Sequence, residues 1–139
     1  MIRTILAVVI GLVVGMVVHM GILFLSVLAY PLPEGMDMAD QEAMKGFVAS
    51  LPPLAFAFPL AAHAIGSLVS ALICSLIVRR NWMIGSLIIG VFYLVGGAIN
   101  LYSIPHPAWF APVDLLLYIP AALVGGWIAG TLTGTKTAG

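Results

Sequence analysis

Three histidines and one aspartate are the residues in this chain best able to do chemistry. His19 and His63 each interrupt an apolar run, whereas His106 stands between two prolines with Asp114 eight positions on. An imidazole within a membrane span is costly and normally faces protein or a cavity, so it marks a candidate site. Arg3 to His19 is 16 positions, and His63 to Arg79 is also 16. At 1.5 Å per helical residue, each imidazole lies roughly 24 Å along its span from a basic end. Antiparallel neighbours would therefore carry the two rings at one depth.

Several chemistries fit that juxtaposition. The plainest is interhelical hydrogen bonding, worth about 0.6–2 kcal/mol per group. A polar cavity that binds or passes a small ligand or a proton is the second. Paired axial ligation of haem b by His19 and His63 is the alternative, since haem iron takes histidine ligands. Ser67 on the span of His63, and Tyr93, Asn100 and Tyr118 on later spans, complete the candidate lining. Asp114 reads as a functional acid or as an acid in the first turn of a helix begun by Pro112. His106 reads as an exposed loop residue, or as Asp114's partner in an acid–base or metal site. Two histidines alone make a poor zinc site, and no metal site is expected. Neither G-x-S-x-G, H-E-x-x-H nor a phosphate loop is present, so no catalytic residue is assigned and the chain reads as non-enzymatic.

The elements that must position these residues follow from composition. The chain has 139 residues, 63% hydrophobic and 7% charged, where a soluble domain is about a quarter charged. Mean hydropathy is +1.20. This is an integral membrane protein whose first partner is the lipid bilayer. No basic run suggests nucleic acid, and the single cysteine, Cys74, excludes an intrachain disulfide. About 20 apolar residues cross a bilayer core. Four stretches qualify, at 5–29, 53–78, 82–102 and 113–132, within one membrane domain spanning 1–139. The first is too long for a signal-peptide core and reads as an uncleaved span. The expected fold is an all-α, four-helix membrane bundle.

Arg3, Arg79, Arg80 and Lys136 fall on one side of these spans, and Lys45 with all five acids on the other. The positive-inside rule then predicts that both termini are cytoplasmic. In the first outer loop, Asp37 can cap a short amphipathic helix over 38–49, with Met44, Phe47, Val48 and Leu51 on its apolar side. Small residues mark contact faces in lipid. Each span has one at helical spacing: Gly11, Gly15, His19 and Ser26; Pro59, His63, Gly66, Ser67, Ser70 and Cys74; Ser86, Gly90, Tyr93, Gly97 and Asn100; Asp114, Tyr118, Ala122, Gly126 and Gly130. Four seams converging on one interior are expected, with His19 and His63 as a floor and Asn100, Asp114 and His106 at an outer mouth. The G-x-x-x-G of Gly11 and Gly15 also suits homodimerisation. Exposed glycines at Gly126–Gly130 would serve a homo-oligomer or a larger membrane assembly.

The segments "YPLPEGMDMAD", "AHAIGSL" and "DLLLYIPAALVGGWIAG", and above all "IPHPAWF" followed by Asp114, resemble a group of small bacterial inner-membrane proteins without an assigned activity. The resemblance covers about residues 30–130. It implies a four-span bundle in the bacterial plasma membrane and carries no substrate, cofactor or catalytic residue.

Overall fold

The computed structural model describes residues 2–79 and 81–134; Arg80 and Lys136, used in the charge argument, lie outside them. Five α-helices follow in order: α1 (Ile2–Ala29), α2 (Gln41–Ser50), α3 (Ala57–Val78), α4 (Trp82–Ser103) and α5 (Phe110–Thr133). A 3-10 turn, Pro53–Phe56, leads into α3. All but α2 are long and apolar enough to cross a membrane. The described residues contain no strand.

Two helix starts differ from expectation. The short helix begins at Gln41 rather than 38, because Asp40 and not Asp37 is its cap. Asp40 Oδ1 accepts from the amides of Glu42 and Ala43 at 3.0 and 3.2 Å, which satisfies two orphan donors of the first turn. The Asp37 carboxylate is spent one turn earlier, accepting from Ala39 N at 2.8 Å. α5 begins at Phe110 rather than 113, since Phe110 N already donates to the Pro107 carbonyl at 2.9 Å. Pro112 fits inside the first turn, where no amide donor is needed. Asp114 therefore lies beyond that turn and has no helix-initiating role.

α3 is the central helix, packing against α1, α5 and α4, while α4 also packs on α5. Its span is 44% buried, whereas that of α1 is 11% buried, so α1 leans on α3 from outside. The G-x-x-x-G of α1 makes this contact within the chain. A Cβ on Gly11 would meet the Ser70 carbonyl oxygen at 2.5 Å, and one on Gly15 would meet the Gly66 carbonyl oxygen at 2.5 Å. That face is occupied by α3 and is not free for homodimerisation. Gly126 and Gly130, expected as an exposed oligomer seam, are buried. Gly125 abuts the Leu68 backbone, and Gly126 abuts Ser86 and Trp82. Arg3 ties the start of α1 to the end of α3, donating to the Ile77 carbonyl from Nε at 3.0 Å and Nη2 at 2.6 Å. α3 and α4 then join through a tight turn in which Arg79 and Asn81 take left-handed φ values of 53° and 49°.

Candidate ligand-binding cavity

The bundle has two ends. One carries the N-terminus and the α3–α4 turn; the other carries α2 and the α4–α5 loop. From mid-bundle toward the second end, α1 and α4 hold apart around a cavity of about 380 Å3. That lies in the usual range for a ligand pocket, roughly 300–1,000 Å3. Met16, His19 and Leu23 line it from α1, and Pro59 and His63 from α3. Phe92, Tyr93, Gly96, Gly97 and Asn100 line it from α4, with Ile104, His106 and Tyr118 completing the wall.

A buried hydrogen-bonded triad supports the floor. His63 Nδ1 and Asp114 Oδ1 are 2.5 Å apart, and the Tyr118 hydroxyl donates to Asp114 Oδ2 at 2.9 Å. Asp114 is fully buried and His63 is 5% exposed. Spacing accounts for half of this arrangement: Asp114 and Tyr118 are one turn apart on α5 and share a face. Gly97 accounts for more, since a Cβ there would strike the Tyr118 ring. With Nδ1 engaged, His63 Nε2 is the nitrogen left without a hydrogen-bond partner among the described residues.

His19 meets His63 edge to face, with ring centroids 5.1 Å apart and planes at 87°. Both His19 ring nitrogens are buried without a hydrogen-bond partner among the described residues. Such orphaned groups are rare in folded proteins. The Tyr93 ring lies 6.5 Å from His19, and its hydroxyl is 3.0 Å from Ser70 Oγ. The half-buried Asn100 lines the cavity. At the α2 end, His106 stacks on Phe110 at 4.7 Å with planes 10° apart, and its Nδ1 donates to the Ile104 carbonyl at 2.7 Å. Burial pushes the His106 pKa below its ordinary value, with the Ile104 carbonyl and the Asp114 charge opposing that shift.

Several expected positions are corrected. Asp114 is not at the mouth and does not pair with His106; it sits behind His63, clamped by Tyr118. His106 is half-buried rather than exposed. Ser67 does not line the cavity, because its hydroxyl donates to the Tyr118 carbonyl at 2.9 Å inside the α3–α5 contact. Met16, Leu23, Phe92 and Gly96 line the cavity without having been singled out. Apolar residues within apolar spans carry no sequence signal for that role.

Bis-histidine haem requires the porphyrin plane to pass between two imidazoles that both point at iron. Here the rings meet edge to face, with centroids only 5.1 Å apart. This arrangement has no gap for a porphyrin. Among the described residues, no group of three His, Cys, Asp or Glu is placed to hold a metal ion.

Four membrane-length helices around a cavity with a His–Asp–Tyr floor define the class of this protein as far as fold and site go. Comparison with protein-family models, with curated proteins and with solved structures gives no match.

Proposed function

We propose that this is a multi-pass protein of the bacterial plasma membrane that binds a small ligand between α1, α3 and α4. His19 and His63 form the floor of the site, and Asn100 and His106 line its wall toward the α2 end. Asp114 and Tyr118 orient His63 from behind. The observation that carries the reading is the pairing of an open cavity with His63 Nε2, which has no partner among the described residues, in front of a buried hydrogen-bonded acid. Interhelical glue alone would join its polar groups to each other, yet His19 has no hydrogen-bond partner among the described residues.

Binding is favoured over conduction by the tight packing on the terminal side of the histidines. Ser70, Ala71, Cys74, Ser86, Ala122 and Ala129 are fully buried there. Asn100→Cys, labelled with a charged methanethiosulfonate reagent and read by mass spectrometry on protein in lipid nanodiscs, tests the reading, since Asn100 lines the cavity and Cys74 is buried. A ligand cavity makes the new thiol react in the folded state. If it reacts only after unfolding, the cavity reading fails.

The distribution of basic residues supports cytoplasmic termini, with α2 on the outer surface. An alkaline phosphatase fused to the C-terminus is then inactive; an active fusion would reverse the orientation.

A further inference from the structure

The hydrogen-bond arithmetic of the floor narrows the ligand. His63 and Asp114 are buried between apolar helices, where an uncompensated charge is costly. The pair is therefore net neutral. One hydrogen lies between Nδ1 and Oδ1, belonging to the imidazole in the ion-paired form and to the carboxyl in the uncharged form. In both forms Nε2 carries a hydrogen. No protein group among the described residues accepts it, and His63 lines the cavity. The floor thus offers an N–H donor that lacks an acceptor. His19, unpartnered at both nitrogens, adds a second imidazole beside it.

The walls supply the rest. Phe92, Tyr93 and Tyr118 offer rings to a flat head group. α1 meets α4 only briefly, and an apolar groove lined by Leu12, Val13, Val17 and Met20 shares Met16 and Phe92 with the cavity. Val13, Met16, Val17, Met20 and Phe92 are exposed on the face that lipid would cover. The cavity therefore continues sideways into the hydrocarbon region.

Resting on the cavity reading, we infer that the occupant is a lipid-soluble carbonyl compound with a flat ring head, the chemistry of a lipid quinone. Its carbonyl oxygen accepts from His63 Nε2–H, and its hydrocarbon tail leaves between α1 and α4 past Met16 and Phe92.

The test uses protein in nanodiscs with ¹³C at histidine Cε1, whose three resonances are assigned from single His→Gln variants. Four probes are titrated: 4-nonylacetophenone; 1-isopropenyl-4-nonylbenzene, which replaces C=O by C=CH2; acetophenone, which has no tail; and 2-undecanone, which has no ring. The expected result is a saturable shift of His63 and His19 by 4-nonylacetophenone, with each other probe about tenfold weaker. Gly96→Leu, built where a Cβ meets open space on the cavity wall, keeps the fold and weakens the long ketone about tenfold. Equal binding of the isopropenyl compound removes carbonyl recognition, and equal binding of acetophenone removes the sideways tail. Equal binding of 2-undecanone makes the occupant a bilayer acyl chain. Each of these three overturns the inference and leaves the cavity reading standing. If no probe shifts any histidine, the inference falls, and labelling of Asn100→Cys then decides whether the cavity reading falls with it.

Discussion

The two halves of this bundle use the same helices to opposite ends. On the terminal side, Gly11, Gly15, Gly125 and Gly126 bring backbones so close that an added Cβ would collide with a neighbour. Ser70, Cys74 and Ser86 fill what space remains and are fully buried. On the α2 side, the same α1 carries His19 and Leu23, α4 carries Phe92 and Asn100, and the two helices frame a cavity. Lipid gives apolar helices no hydrophobic reason to associate, so small residues and interhelical hydrogen bonds must do it. One half is held shut by small residues. The other is lined by rings, and the His63–Asp114–Tyr118 bonds tie α3 to α5 behind it.

The comparison breaks most severely at Asp114. Asp114→Ala strips His63 and Tyr118 of their shared partner while leaving them buried. Removing one member of a buried pair costs about 3–5 kcal/mol. Reversible unfolding in mixed detergent micelles measures it. Asp114→Asn, which keeps two polar atoms in place, should lose less. A loss below that of a surface substitution would mean that the triad does not hold this half together.

The sealed half gives the next effect. A Val side chain at Gly125 would drive its Cβ into the Leu68 carbonyl and the Leu72 amide. These are backbone atoms and cannot rotate away, so Gly125→Val is expected to cost about 3 kcal/mol. The same unfolding assay reads it, and a neutral result would show that α3 and α5 can separate without loss.

Much of this architecture is legible in the sequence, for a physical reason. Span length and apolarity set the four long helices, and their small-residue faces marked which side of each turns inward. The matched spacing of His19 and His63 anticipated their meeting, because two antiparallel helices anchored at one end keep a common scale. Asp114 was harder to read. Its place behind His63 depends on where α5 begins, and Pro112 offered Val113 as the start when the Pro107 carbonyl sets it at Phe110. The destinations of the glycines were equally hidden. Sequence shows a small face but not whether a sister helix or another molecule covers it.

A smaller effect separates the halves by pH. Burial lowers the His106 pKa, so the unfolded chain, with histidine near its ordinary value of about 6.5, takes up the proton first. The stability gained from neutral His106 is complete above that value. It is lost as pH falls through it toward the folded pKa. His106→Gln should flatten the decline in thermal stability below about pH 6.5, with little change at pH 8. A parallel profile for the variant would place the acid sensitivity elsewhere.

The smallest effect has the opposite sign and tests whether the open half is open by construction. Gly96 lies in α4 on the cavity wall, and a Cβ there meets nothing within 4 Å. In the sealed half a glycine is required by its neighbours. At Gly96 no neighbour requires it, and a helical glycine then only costs backbone entropy. Gly96→Ala should therefore stabilise the protein by about 0.5–1 kcal/mol, read as a higher midpoint in the same detergent assay. Gly97, one residue on, faces the Tyr118 ring and should not tolerate the same change. If Gly96→Ala destabilises instead, α1 and α4 close on each other in the bilayer, and the space between them is not a standing cavity.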